Sequence, residues 1–145
     1  MTSHAQVHAA AAGRPARFPW VHALISNEQE ALALSGAANA ESAARRLSEG
    51  AETAIVTLGS RGAIGASGGS VEHVEAPRVD VRDATGAGDL FAAAYIWADM
   101  HGCPLRERLR WATLYAALSL RTLTAFAGAV RLAELHEHAR KLSIP

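Results

Sequence analysis

Thr53-Ala54-Ile55-Val56-Thr57-Leu58 is the segment that most narrows the choice of fold. Its β-branched residues crowd the turns of a helix but suit a pleated, buried strand, and Gly59 ends the run. A second apolar run, Val21–Ile25, reads as another buried strand. Between the two lie helix signals. Ser26 or Asn27 can cap a helix over 28–34 that Gly36 stops, and Asn39 can cap a second that ends at Gly50 with Leu47 inward. Ala63–Ala66 and Val71–Val74 flank Ser67-Gly68-Gly69-Ser70, a hairpin pattern, and Val79–Val81 reads as a further short strand. After Gly86–Gly88 the period becomes helical. Leu90, Phe91, Ala94, Ile96, Trp97 and Met100 form an apolar helix that ends near Gly102. Pro104 opens the next helix at its first turn, with Leu109, Ala112, Ala116 and Leu120 on one face. Phe126-Ala127-Gly128-Ala129 breaks it, and 131–142 is a last amphipathic helix with Leu132, Leu135 and Leu142 inward. Strands alternating with helices in this order predict an α/β fold.

The chain has 145 residues, about one domain's worth, and half of them are apolar, which sets it against disorder along its whole length. Residues 1–17 show no period and carry no acidic residue. They read as an unstructured N-terminal segment ahead of a folded domain over 18–145, with a transit peptide as the weaker alternative. The formal net charge is zero, which removes the electrostatic case for a nucleic-acid or anionic-membrane partner. Cys103 is the only cysteine and fits a reducing, cytoplasmic compartment. No apolar stretch reaches the length of a membrane span. The seven histidines lack metal-ligand spacing, and Trp97 and Trp111 read as core or interface residues.

The chemistry concentrates in Asp83-Ala84-Thr85-Gly86-Ala87-Gly88-Asp89, which runs directly into the apolar helix. Glycines here let the backbone turn tightly and approach a ligand, and the helix start presents unpaired N–H groups and a positive dipole end. Asp89 in the first turn would repel an anion, unless it takes a proton from the group that attacks that anion. Phosphoryl transfer needs that pair: N–H donors for developing charge and a base for the nucleophile. A Walker A loop is excluded because the only lysine is Lys141, and a Rossmann fingerprint is opposed by Phe91 where a small residue belongs. Structural readings stay open beside the functional ones. Asp89 also suits the helix dipole, Asn27 to Glu30 also forms a capping box, and Gly59 and Gly62 also serve plain turns.

Asp83–Asp89 resembles the C-terminal signature of the ribokinase-like carbohydrate kinases, the PfkB family. Asn27-Glu28-Gln29-Glu30 is similar to that family's N-x-x-E motif, and Val56-Thr57-Leu58-Gly59-Ser60-Arg61-Gly62 to its nucleotide-binding strand and loop. The three motifs stand in the family's order, and the resemblance covers about residues 19–142. It implies a ribokinase-like fold: a partial three-layer α/β/α sheet with a β-hairpin and C-terminal helices. It implies an ATP- and Mg²⁺-dependent transfer of the γ-phosphate to a hydroxymethyl group of a sugar or nucleoside. Asp89 would be the base, and the amides of Gly86, Ala87 and Gly88 the anion hole. Thr57, Gly59, Ser60, Arg61 and Gly62 would line the nucleotide site, with Thr113 near the adenine. Asn27 and Glu30 would organise Mg²⁺ and phosphates through water. Asp83 with the carbonyl of Thr85 would hold a monovalent cation such as K⁺. Ala84 stands where the family usually has Thr or Ser.

Family members run near twice this length, and the resemblance is to the nucleotide-binding C-terminal half alone. The half that grips the sugar has no counterpart here, and a partial sheet leaves an edge open to a partner chain or a second copy. The alternative reading is therefore a non-catalytic nucleotide-binding or oligomerisation module derived from such a kinase.

Overall fold

The computed structural model describes residues 21–121 and 129–141. Ala23–Asn27 forms strand β1, followed by helices α1 (Glu28–Ser35) and α2 (Ala40–Leu47) and strand β2 (Thr53–Thr57). Strands β3 (Ala63–Ser67) and β4 (Ser70–Val74) come next, then helices α3 (Ala87–Met100), α4 (Leu105–Ser119) and α5 (Leu132–Lys141). The mixed sheet has the order β1-β2-β3-β4, with β1 parallel to β2 and β2 antiparallel to β3. Parallel strands need a crossover, and α1 and α2 supply it. The α/β expectation holds. The chain divides into two compact units, Met1–Gly59 with Ala63–His73, and Ser60–Gly62 with Val74–Pro145.

In the first unit the apolar spacing does the packing. Ala40, Ala43, Ala44 and Leu47 share one face of α2, and their small side chains bring the helix close to the sheet. They pack with Ala31 and Leu34 of α1, Leu24 of β1, Ala54 and Val56 of β2, and Ile64 and Ala66 of β3. Both helices carry the N-caps that their sequences predict: Asn27 Oδ1 accepts from the Glu30 amide, and Asn39 Oδ1 from the Ser42 amide, each at 2.9 Å. Gly36 closes α1 in the left-handed region, and the Arg46 guanidinium donates to the Ser35 and Gly36 carbonyls at that end. The β3–β4 turn has Gly68 and Gly69 both at positive φ, as a two-residue hairpin turn with the right twist requires.

In the second unit α3 and α4 pack against each other, and Tyr95 of α3 and Leu109 and Leu114 of α4 are fully buried. Trp111 joins Ala98, Leu118, Leu135 and Ala139 in a cluster that takes in α5, and Trp97 packs half-buried against it. The Trp97 and Trp111 ring centroids are 5.5 Å apart, edge to face, in line with their reading as core residues. His136 is exposed at its rim and sets its ring edge-on 5.0 Å from Trp111. An ion pair joins Arg108 to Asp99 across the α3–α4 connection, and the Arg108 Nε donates to the Cys103 carbonyl. No described helix is long and apolar enough to cross a membrane.

Several expectations need correction. Val79–Val81 is not a strand. Val81 is 62 % exposed, and among the described residues no strand pairs with the run. The first strand is shifted from 21–25 to Ala23–Asn27 because Asn27, rather than Ser26, is the cap. The second helix stops at Leu47, where Ser48 caps it, rather than at Gly50. Pro104 is the N-cap of α4 and not its first helical residue. Leu132 shares a face with Leu135 and Ala139 but is exposed as the first residue of α5. Residues 1–20, the break at Phe126-Ala127-Gly128 and Leu142 lie outside the described residues.

Gly59 and Gly62 both have positive φ but face different surroundings. A Cβ on Gly59 would meet open space, whereas one on Gly62 would lie 1.9 Å from the Val74 carbonyl oxygen. Gly59→Ala is expected to cost about 1 kcal/mol, the left-handed penalty alone. Gly62→Ala is expected to cost roughly 3 kcal/mol or more, because backbone must also move. Urea denaturation of the two variants measures the difference.

Candidate functional site

In the first unit the candidate residues gather at the carboxyl ends of the parallel strands, the end of an open α/β sheet where ligands bind. Asn27 and Thr57 are register partners there, the last residues of β1 and β2. Glu30 folds back so that its Oε2 accepts from the Asn27 amide at 3.1 Å, completing a reciprocal capping box. The capping reading of N-x-x-E is thus realised, and it holds both side chains in one fixed arrangement beside β2. Thr57 Oγ1 donates to the Ser26 carbonyl at 3.4 Å, tying the two strand ends together. Gly59, at φ 61°, then turns the chain out of β2 into a short 3₁₀ turn over Gly59–Arg61.

In the second unit Ser60 and Arg61 are exposed, and Gly62 sits against the backbone of Val74 and Glu75. The close approach gives Gly62 a packing role that a turn pattern alone does not reveal. Thr113 is buried in α4, and its hydroxyl donates to the Leu109 carbonyl at 2.6 Å.

The heptapeptide is built from its own backbone. Asp83 Oδ1 accepts from the Thr85 amide at 2.9 Å, forming an Asx turn. The Ala87 amide donates to the Ala84 carbonyl at 3.3 Å, and Gly86 takes φ 79° as the N-cap of α3. No side chain caps this helix, in contrast to α1 and α2. A Cβ on Gly88 would meet nothing within 4 Å, and Asp89 is exposed one residue further on. An uncapped helix start with open space and a carboxylate in its first turn fits a phosphate group and a hydroxyl nucleophile in chemistry. Sequence reasoning missed what holds this loop in place. The Arg82 and Asp83 amides both donate to the Leu120 carbonyl at the end of α4, at 2.7 and 3.4 Å. A backbone-to-backbone contact across that distance in sequence leaves no mark in residue type.

Among the described residues no three His, Cys, Asp or Glu side chains form a metal cluster. A Mg²⁺ held mainly by phosphates and water needs only one or two carboxylates, and Glu30 in the first unit is of the right chemistry.

The model of the pfkB family carbohydrate kinases matches residues 5–128. The chain belongs to this family. The match begins at residue 5 and so takes in most of the segment 1–17. The chain is 32 % identical over 90 residues to a ribokinase of Lactococcus lactis, a match covering 62 % of this chain and 30 % of that one. Among solved structures, a putative ribokinase II from E. coli in complex with ATP and Mg²⁺ aligns with a TM-score of 0.74 at 32 % identity. It covers 82 % of this chain and 39 % of that one. The aminoimidazole riboside kinase from Salmonella enterica, complexed with aminoimidazole riboside and an ATP analogue, aligns with a TM-score of 0.71 at 26 % identity. It covers 90 % of this chain and 43 % of that one. The fold is ribokinase-like, and this PfkB member spans about a third of the length of the ribokinase it matches.

The Asp83 carboxyl is held below the usual carboxylate range, chiefly by the Thr85 amide and then by the Thr85 hydroxyl. A lowered folded value means that the turn's contribution is complete above the ordinary Asp range, near pH ~4, and fades as pH falls through the folded value. A carboxyl-detected NMR titration is expected to give Asp83 a midpoint below that of ordinary aspartates. Thr85→Ala is expected to move that midpoint only part of the way back, because the backbone amide remains.

Proposed function

We propose that this PfkB member carries the phosphoryl-transfer half of an ATP-dependent sugar or nucleoside kinase. The single observation that carries the reading is the start of α3: Gly86 in the left-handed region, no side-chain cap, open space at Gly88 and an exposed Asp89. When bound, ATP with Mg²⁺ supplies the transferable phosphoryl group and neutralises part of its charge. The amides of Gly86 and Gly88 stabilise the charge that develops on that group, joined by the Ala87 amide as it exchanges its long bond to the Ala84 carbonyl for the phosphoryl oxygen. Asp89 accepts the proton of the hydroxymethyl nucleophile. Thr57, Gly59, Ser60, Arg61 and Gly62 approach the nucleotide. Thr113 contributes to the adenine side as a packed wall, its hydroxyl being engaged with Leu109. Asn27 and Glu30, fixed in their capping box, orient Mg²⁺-bound water and phosphates. Asp83, its turn already formed, offers remaining lone pairs with the Thr85 carbonyl to a monovalent cation such as K⁺. A cytoplasmic setting belongs to the same reading and is supported by the free thiol of Cys103.

A second reading rests on the span of the chain, a third of its ribokinase relative. Near-attack geometry requires both substrates to be held. Where no acceptor site completes it, the chain acts as a non-catalytic nucleotide-binding or oligomerisation module.

Calorimetric titration with ATP–Mg²⁺, with NAD as control, together with a phosphoryl-transfer assay on ribose, separates these readings. Saturable ATP binding with turnover supports the first, and binding without turnover the second. No binding by a folded chain overturns the first reading and the nucleotide-binding form of the second. Where turnover is present, Asp89→Asn is expected to lower kcat by about 10²–10⁴-fold while nucleotide affinity stays within a few-fold.

A further inference from the structure

The last carbonyls of a helix lack partners within it, and each must be met from elsewhere. At the end of α4 the Ser119 hydroxyl donates to the Ala116 carbonyl at 2.7 Å, and the Arg121 amide to the Leu118 carbonyl at 3.3 Å. Leu120 keeps helical φ and ψ as the C-cap. Its carbonyl is met by main chain that precedes α3 in sequence, the Arg82 and Asp83 amides, at 2.7 and 3.4 Å. The approach to the heptapeptide is thus the cap of α4.

Two routes leave this joint, and both are stiff. In one direction the chain passes from Asp83 through the bond between its carboxylate and the Thr85 amide. It then passes through Gly86 in the left-handed region into the first turn of α3. In the other direction α4 runs back without a break from Leu120 to Thr113, about two turns or about 10 Å along its axis. Leu114, Ala117 and Leu118 anchor that stretch, all buried. Thr113, Leu120 and the heptapeptide belong to the same compact unit.

We infer that α4 is a ruler for the nucleotide. The joint at Leu120 fixes the spacing between Thr113 on the adenine side and the amides at the start of α3, so that base and phosphoryl group meet one stiff frame. A ligand held at one end then brings its other end to the second subsite as an intramolecular event, and the two ends bind more tightly together than apart. Arg82 and Asp83 are positioning residues here, and they act through their amides. This role deepens the phosphoryl-transfer reading of the α3 start and rests on it.

Calorimetric titration of the 145-residue chain with adenosine and with ATP–Mg²⁺ tests it. The parent chain is expected to prefer ATP–Mg²⁺ by about 100-fold or more. Arg82→Pro removes the shorter of the two bonds to Leu120. It is expected to weaken ATP–Mg²⁺ binding by about 10-fold or more and to leave adenosine within about two-fold. Because proline can also bend the loop, an ester in place of the amide between residues 81 and 82 of the Arg82→Ala chain gives the independent reading. The ester deletes the same N–H without a ring, and the same selective loss is expected relative to Arg82→Ala itself. An ester chain that binds ATP–Mg²⁺ as tightly as that reference overturns the inference, and so does an equal loss for both ligands. Both results leave the phosphoryl-transfer reading standing. A parent chain with no preference for ATP–Mg²⁺ over adenosine overturns that reading and the ruler with it.

Discussion

Parallel strands cannot be joined by a tight turn, and the pairing of β1 with β2 obliges residues 28–52 to leave the sheet, cover one face and return. The contents of the first unit follow from that constraint. The crossover must bury a stripe on each helix, which the alanines of α2 and Ala31 and Leu34 of α1 do. It must also begin and end cleanly. Asn27 and Asn39 cap the helices, and Gly36 turns the chain between them. The same pairing places Asn27 beside Thr57, so the cap that starts the crossover stands at the strand end where a ligand would be met.

The second unit solves a different problem, how to present a helix start without a side chain in front of it. α1 and α2 spend an asparagine on their first-turn amides, and α3 does not. The chain before α3 is shaped instead by Asp83 holding the Thr85 amide, by Gly86 in the left-handed region, and by the Leu120 carbonyl receiving the Arg82 and Asp83 amides. The turn is therefore formed in advance of any ligand, which limits the ordering cost of binding.

Whatever local chemistry decides was legible in the residues. The N-caps, the Gly68-Gly69 turn, the strand at Thr53 and the helix after Gly88 follow from propensities that act over a few neighbours. The heptapeptide could be read as a glycine turn into a helix, and the order of the three motifs was enough to point to the family. What escaped depends on distant partners. Val79–Val81 has the composition of a strand, but composition cannot supply a neighbouring strand. Gly62 reads as one more turn glycine until the Val74 carbonyl is seen against its Cα. Thr113 can be placed on a helix from its period, but the bond that occupies its hydroxyl shows only in three dimensions.

The attachment of the heptapeptide to Leu120 bears on how such a sequence can diverge. Both donors and the acceptor are main-chain groups, so residue identity at 82, 83 and 120 is largely immaterial to the link; only proline at 82 or 83 would delete a donor. The side chains of Arg82 and Leu120 are free to drift under other pressures while this link persists, whereas Asp83 is still needed for its bond to the Thr85 amide. The position of the turn is thus inherited through the path of the backbone, and relatives that share few residues around it can still present the same helix start.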